Sequence, residues 1–209
     1  MRIVVCLSVL LLLGMAPPPP LAGVSVAVRG ANGQPVVNAV VSIRLVGRDT
    51  PGPRMGSGYA VRQQNIQFAP FLSVVPIDAD VAFPNLDSVR HQVYSFSPAK
   101  RFELKLYARE QNRTVRFDRA GAVSLGCNIH DQMTAFIYVT DSVFTARTDA
   151  AGNVNLAGVP AGPISITVWH PYLRAPGNQV SRQIDLGGGA RETFTAALRP
   201  PPPSAGSSY

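Results

Sequence analysis

Apolar residues recur at every second position along much of this chain. Val24, Val26 and Val28 alternate with small or polar residues, and Asn32-Gly33 supplies a turn before an apolar run at residues 36–45. Residues 46–62 carry the Gly/Pro-rich string GRDTPGPRMGSG and are predicted as a loop. Short strands are then expected at 66–71, 74–75, 81–83 and 93–96. In Phe102-Glu103-Leu104-Lys105-Leu106-Tyr107 the apolar side chains fall at the period of a half-buried strand. Residues 114–117, 122–127 and 134–139 continue the pattern. No long segment has the 3.6-residue period of a helix, so the expectation is an all-β protein built as a β-sandwich.

The character of the chain shifts near Asp141. Asp149-Ala150-Ala151-Gly152 reads as a turn, and strands are expected at 154–156, 164–169, 179–186 and 191–198. The predicted organisation is therefore a sandwich over 24–142 and a small second β-sandwich over 143–199. Residues 200–209 (PPPPSAGSSY) lack the means to bury surface and are expected to form a disordered tail.

Residues 1–23 read as an export signal. Arg2 precedes an apolar run from Ile3 to Leu13, and Pro17 to Pro20 stop any helix there. The run is short for a bilayer span, although a retained single anchor is the competing reading. Ala16 and Ala22 are the candidate cleavage points. Export to the periplasm or beyond removes Cys6 and leaves Cys127 alone, so no internal disulfide can form. A lone thiol in an oxidising compartment has to be buried, shared with another chain, catalytic or bound to metal. The 209 residues carry 19 Lys+Arg against 12 Asp+Glu, a net charge of +7. The basic residues are not interleaved with aromatics on a recognisable nucleic-acid module, so charge alone argues for no such partner.

The chemistry gathers between His91 and Met133. Cys127-Asn128-Ile129-His130-Asp131-Gln132-Met133 is a C-x2-H-x2-M loop, and His91 stands upstream at the end of the loop FPNLDSVR. A thiolate, two imidazoles and a distant thioether are the donors of a blue-copper site. Taken singly, each has a plainer reading: Cys127 as a small buried hydrophobe, His91 as a surface imidazole, Met133 as core packing. Zinc would recruit a carboxylate such as Asp131 in place of the thioether. A Cys/His hydrolase needs an oriented base and an oxyanion hole, and no separate acid to orient His130 is evident. His170, in Trp169-His170-Pro171, fits no ligand spacing and is assigned a structural role; Trp169 is expected to pack the second module, and Met55 has no evident role.

These strings resemble the cupredoxin superfamily of plastocyanin, amicyanin and azurin. The C-x2-H-x2-M spacing is that of the family's shortest ligand loop. Gly121-Ala122-Val123-Ser124-Leu125-Gly126-Cys127 is similar to its G-x-Y-x-x-x-C approach strand, with Val123 replacing Tyr. Ile66-Gln67-Phe68-Ala69-Pro70 and Val81-Ala82-Phe83-Pro84-Asn85 resemble its F-x-P strand and the strand before the first copper histidine. FPNLDSVRHQVYSFSPAKRFELKLY followed by LGCNIHDQM is similar to periplasmic proteins labelled methylamine utilization or plastocyanin-like. TDAAGNVNLAGVPAGPISITVWHP resembles the carboxypeptidase regulatory-like sandwich, a noncatalytic module.

The resemblance implies a Greek-key cupredoxin domain holding one type 1 copper ion. His91, Cys127 and His130 would be its equatorial ligands and Met133 the axial one. Gln92 stands where several members place the Asn that ties the two ligand loops, and Asn85 or Ser88 is expected to take over that task. The implied function is single-electron transfer without enzymatic activity, through His130 and an apolar patch of Pro84, Ile129 and Met133. Copper storage or delivery, or a β-sandwich adhesion module, is the alternative of another class. The expected partner is an acidic redox protein such as a cytochrome c or a periplasmic dehydrogenase. Arg90, Lys100, Arg101, Lys105, Arg109, Arg113, Arg116 and Arg119 would steer it, unless they are merely a solvated face.

Overall fold

The structure, a computed structural model, describes residues 19–109 and 111–200. The apolar run read as an export signal and the tail after Pro200 lie outside the described residues. The described chain is all-β, with one short 3-10 turn at Pro176–Asn178. Its strands are β1 (Leu21–Arg29), β2 (Val40–Leu45), β3 (Arg62–Gln63), β4 (Phe68–Ala69), β5 (Leu72–Pro76), β6 (Ala79–Ala82), β7 (His91–Ser97) and β8 (Lys100–Tyr107). They continue with β9 (Thr114–Phe117), β10 (Gly121–Gly126), β11 (Thr134–Thr140), β12 (Thr145–Arg147), β13 (Asn153–Pro160), β14 (Gly162–Trp169), β15 (Gln179–Leu186) and β16 (Gly189–Thr195).

Two cores form, divided differently from the predicted order along the chain. One sheet runs β13-β1-β16 and another β12-β2-β14-β15, and together they enclose Val24, Val26, Val28, Ile43, Ile166 and Phe194. Strands β1 and β2 therefore belong with the C-terminal strands. β1 pairs antiparallel with β13, Val26 opposite Val154, and parallel with β16, Val26 opposite Glu192. The alternation of Val24, Val26 and Val28 dictates which face is buried and is silent on which strand lies alongside. The boundary expected at residue 24 is thus replaced by an insertion: the chain leaves this flanking sandwich after β2 and returns at β12. A parallel pair needs a long crossover, and here the crossover contains a whole second sandwich.

The inserted sandwich has a five-stranded sheet ordered β5-β11-β10-β7-β8, backed by the pairs β3-β4 and β6-β9. Phe83, Val93, Phe117, Val123, Leu125 and Ile137 fill its core. Its outer face meets the flanking sandwich through Val40, Leu72 and Trp169, with Phe71, Val74, Phe136 and Tyr138 packed around them. Phe136 meets Trp169 edge to face at 6.1 Å between ring centroids. Arg147 donates to the Leu72 carbonyl at 3.1 Å, and Arg44 pairs with Asp141, so polar contacts rim this apolar seam.

Two local expectations are corrected. The run expected as a strand at 66–71 is a turn followed by the short β4. Gln64 and Gln67 exchange both backbone hydrogen bonds around Asn65 and Ile66, each at φ 56°. Two central residues with positive φ make this the hairpin turn that ordinarily carries Asn-Gly. Ile66 is β-branched, so its left-handed backbone is strained by about 1–3 kcal/mol and needs a stabilising partner. The last three residues of the span expected as export signal are built into the fold. Leu21, Ala22 and Gly23 are in β1, and Ala22 is buried opposite Val159.

Candidate metal centre

Three neighbouring strands deliver the sulfur and first imidazole groups by simple alternation. In β10 the inward series is Val123, Leu125 and, one step past the strand end, Cys127. β11 buries Ala135, Ile137 and Val139, and Met133 precedes them in the same phase. β7 buries His91, Val93 and Ser95. Gly126 is opposite Thr134 on one side and Tyr94 on the other, so the three series end at one edge of the sheet. Gly126 lets the Tyr94 ring lie close over it, since a Cβ there would come within 2.7 Å of that ring and force it to shift. The hairpin between β10 and β11 then closes with Met133 N–H donating to the His130 carbonyl at 2.9 Å. His130 sits half-buried in that loop.

The resulting cluster is tight. The ligand atoms of His91, Cys127 and His130 all lie within 4.8 Å of one another. Cys127 Sγ is 3.8 Å from His130 Nδ1, and the two imidazole rings are 5.0 Å apart at 62°. His91 is fully buried, and its Nδ1 has no hydrogen-bond partner. A buried polar nitrogen left in this way costs about 1–3 kcal/mol, a cost that a ligand on Nδ1 would offset. Burial, then the neighbouring His91, push the His130 imidazole below its ordinary range, with Asp87 opposing. A neutral imidazole is the form that ligates metal. Met133 is buried in the same core as Cys127.

On its far side His91 is held by a residue that the sequence reading missed. Nε2 lies 2.8 Å from Asp87 Oδ2. The same carboxylate accepts the backbone N–H of Asn65 at 2.6 Å and of Ile66 at 3.0 Å. Partial burial opposes ionisation of Asp87, yet the Ile66 amide, the His91 ring and the Asn65 amide together hold it below the usual carboxylate range. Asn85, expected to tie the two ligand loops, bonds only within the loop before His91 and to the end of β8. Its Oδ1 accepts the Asp87 N–H at 2.9 Å, and its Nδ2 donates to the Val89 and Tyr107 carbonyls at 2.9 and 3.1 Å. Ser88 is exposed and takes no part in this network. The only sequence hint of Asp87 is an acid four residues before a histidine, a spacing too common to single out.

The expected surface patch is also revised. Met133 is 1% exposed and cannot contribute; Ile129 is 52% exposed, and Leu86 and Val89, on the loop leading to His91, are each 42% exposed. His170 is buried away from the cluster and its Nδ1 accepts the Tyr172 N–H at 3.2 Å, a structural role. Met55 is exposed. Two of the basic residues counted toward partner steering are paired, Lys100 with Asp118 and Arg116 with Asp78.

No protein-family model matches the chain, and no curated protein does. Among solved structures it is similar to a purple cupredoxin from Nitrosopumilus maritimus, at 17% identity over 40% of this chain and all of that one, with a TM-score of 0.36. A Cu(I) amicyanin variant matches at 17% identity over 48% of this chain and 98% of its own, with a TM-score of 0.37. A copper-containing nitrite reductase from Thermus scotoductus matches at 20% identity over 56% of this chain and 28% of its own, with a TM-score of 0.38.

Proposed function

We propose that the inserted sandwich holds one copper ion on His91, Cys127 and His130, with Met133 as a weaker fourth donor, and that the protein carries single electrons. One observation carries this reading: His91, whose Nδ1 is buried without a partner, has a ring nitrogen in a cluster with Cys127 Sγ and a His130 nitrogen, all within 4.8 Å of one another. The donor set agrees, since a thiolate and a thioether suit Cu(I) and imidazoles suit both oxidation states. Bound copper supplies the one-electron couple. The chain's own part is to fix the donors at the ends of three rigid strands and to exclude water with Leu125, Ile137 and Phe83, all buried. Half-buried His130, beside exposed Ile129, provides the approach from the surface.

The flanking sandwich serves as a noncatalytic mount. The protein works outside the cytoplasm, exported by its N-terminal apolar segment, with cleavage after Ala16. Cleavage after Ala22 would remove the Leu21–Pro160 and Ala22–Val159 pairs of β1. Its partner is an acidic redox protein, drawn by basic residues such as Arg90 next to His91.

Titration of the metal-free protein with Cu(II) tests the reading. An intense visible thiolate-to-copper band should appear and bleach reversibly with reductant. Cys127→Ser should lose the band and keep the β-sheet circular dichroism. A band that survives Cys127→Ser, or copper that binds without redox cycling, overturns it.

A further inference from the structure

His91 is oriented by a network that spans three separate segments. An ionised carboxylate can only accept hydrogen bonds, so the His91 nitrogen facing Asp87 has to carry the proton. Nε2–H therefore points at Asp87, and the lone pair is left on Nδ1, the buried atom without a partner. The carboxylate is itself gripped from the opposite direction by the amides of Asn65 and Ile66. Those amides converge because both residues take the left-handed backbone, which a β-branched Ile adopts only under constraint. Asn85, fully buried, fixes the Asp87 backbone through its own side chain. The strained turn, the acid and the histidine thus form one chain of contacts, and its end is the unpartnered Nδ1 of His91, a member of the cluster with Cys127 and His130.

We propose that Asp87 is the positioning residue of this centre: it locks His91 in the Nε2–H tautomer, and its negative charge biases the bound metal toward the higher oxidation state. The proposal rests on the copper reading for its second half alone. With Cys127 as thiolate, Asp87 is a second anion one imidazole away from the ion. A fixed anion stabilises a divalent ion more than a monovalent one, in proportion to charge. Partners of this kind contribute about 10- to 100-fold to metal affinity. The unusual turn at Asn65-Ile66 is then explained as the device that holds the carboxylate still by donating a backbone N–H to each of its oxygens.

Two measurements on the full chain separate the halves. In the metal-free protein, nitrogen chemical shifts of His91 should report the pure Nε2–H tautomer. Asp87→Ala should turn this into a mixture, whereas Asp87→Glu should retain most of it. In the copper-loaded protein, Asp87→Asn keeps the shape and removes the charge. The ratio of Cu(II) to Cu(I) affinity should then fall about tenfold, a rise of about 59 mV for one electron. Unchanged β-sheet circular dichroism establishes that each variant is folded. An Asp87→Ala protein with the wild-type tautomer overturns the positioning role, and an unchanged affinity ratio in Asp87→Asn overturns the charge role. If neither wild type nor variant takes up copper, the functional reading fails, and the tautomer measurement alone decides what Asp87 does.

Discussion

The flanking sandwich closes around side chains such as Val26, Ile43, Ile166 and Phe194, and the polar groups it buries are satisfied. Thr148 Oγ1 donates to the Val36 carbonyl at 2.8 Å, and Ser142 Oγ donates to the Ile43 carbonyl at 2.7 Å. In the inserted sandwich both His91 Nδ1 and Gln63 Oε1 are buried without partners, the two such side-chain atoms found among the described residues. Two domains of similar strand composition thus differ in their polar accounting. Saturated hydrogen bonding is what a scaffold needs; the unpartnered Nδ1 of His91, in a cluster with a thiol, is what the proposed site would use. The inserted domain leaves a buried polar atom unpaired at one end of its sheet, and the flanking domain, wrapped around both its ends in sequence, packs against its outer face.

The largest expected effect tests how independent the two cores are. Ile166→Ala in the flanking core and Ile137→Ala in the inserted core should each cost about 2–5 kcal/mol, measured by chemical denaturation. Ile137 is on β11, in the inward series headed by Met133, so its truncation should also weaken metal uptake. Ile166→Ala should leave metal affinity unchanged under native conditions. Equal loss of affinity in both variants would mean that the seam at Trp169 makes the two cores one cooperative unit.

Acid should strain the two domains in different windows. Burial pushes the His170 imidazole down to about 4. Below its ordinary value near 6.5 the unfolded chain takes up a proton that the folded chain refuses. Stability is therefore present above about pH 6.5 and declines as pH falls toward about 4, by at most about 3 kcal/mol. His170→Gln should flatten the decline, with the fluorescence of Trp169, the chain's single tryptophan, as the readout. Asp87 is depressed instead, so its contribution is present above its ordinary value near 3.8 and fades only below it, as pH falls through the folded value. A single acid transition unaffected by His170→Gln would break the distinction.

The smallest effect on the fold, and a specific one on function, concerns Arg90. It is exposed beside His91, so Arg90→Glu should change stability by no more than about 0.5 kcal/mol. Electron transfer to an acidic acceptor should slow steeply between low and high salt in the wild type, since screening acts over about 10 Å at 0.1 M. Arg90→Glu should flatten that dependence. A rate indifferent to salt in both proteins would reduce the basic residues to a solvated face.

What the sequence determined by itself were the local periodicities and the donor types. Alternation at 123, 125, 127 and at 133, 135, 137 states that Cys127 and Met133 share the buried face, because side-chain direction in a strand depends only on parity. The loop spacing likewise states that His130 lies close to the thiol. Tertiary structure alone decided three other things. It put Val24, Val26 and Val28 against strands more than a hundred residues away, because pairing energy depends on complementary faces and is blind to chain order. It turned Ile66 from a strand residue into the strained half of a hairpin, because the Asp87 carboxylate is there to receive its amide. And it made Asp87 the partner of His91, because a hydrogen bond is settled by distances of a few tenths of an ångström, which residue spacing in a loop does not encode.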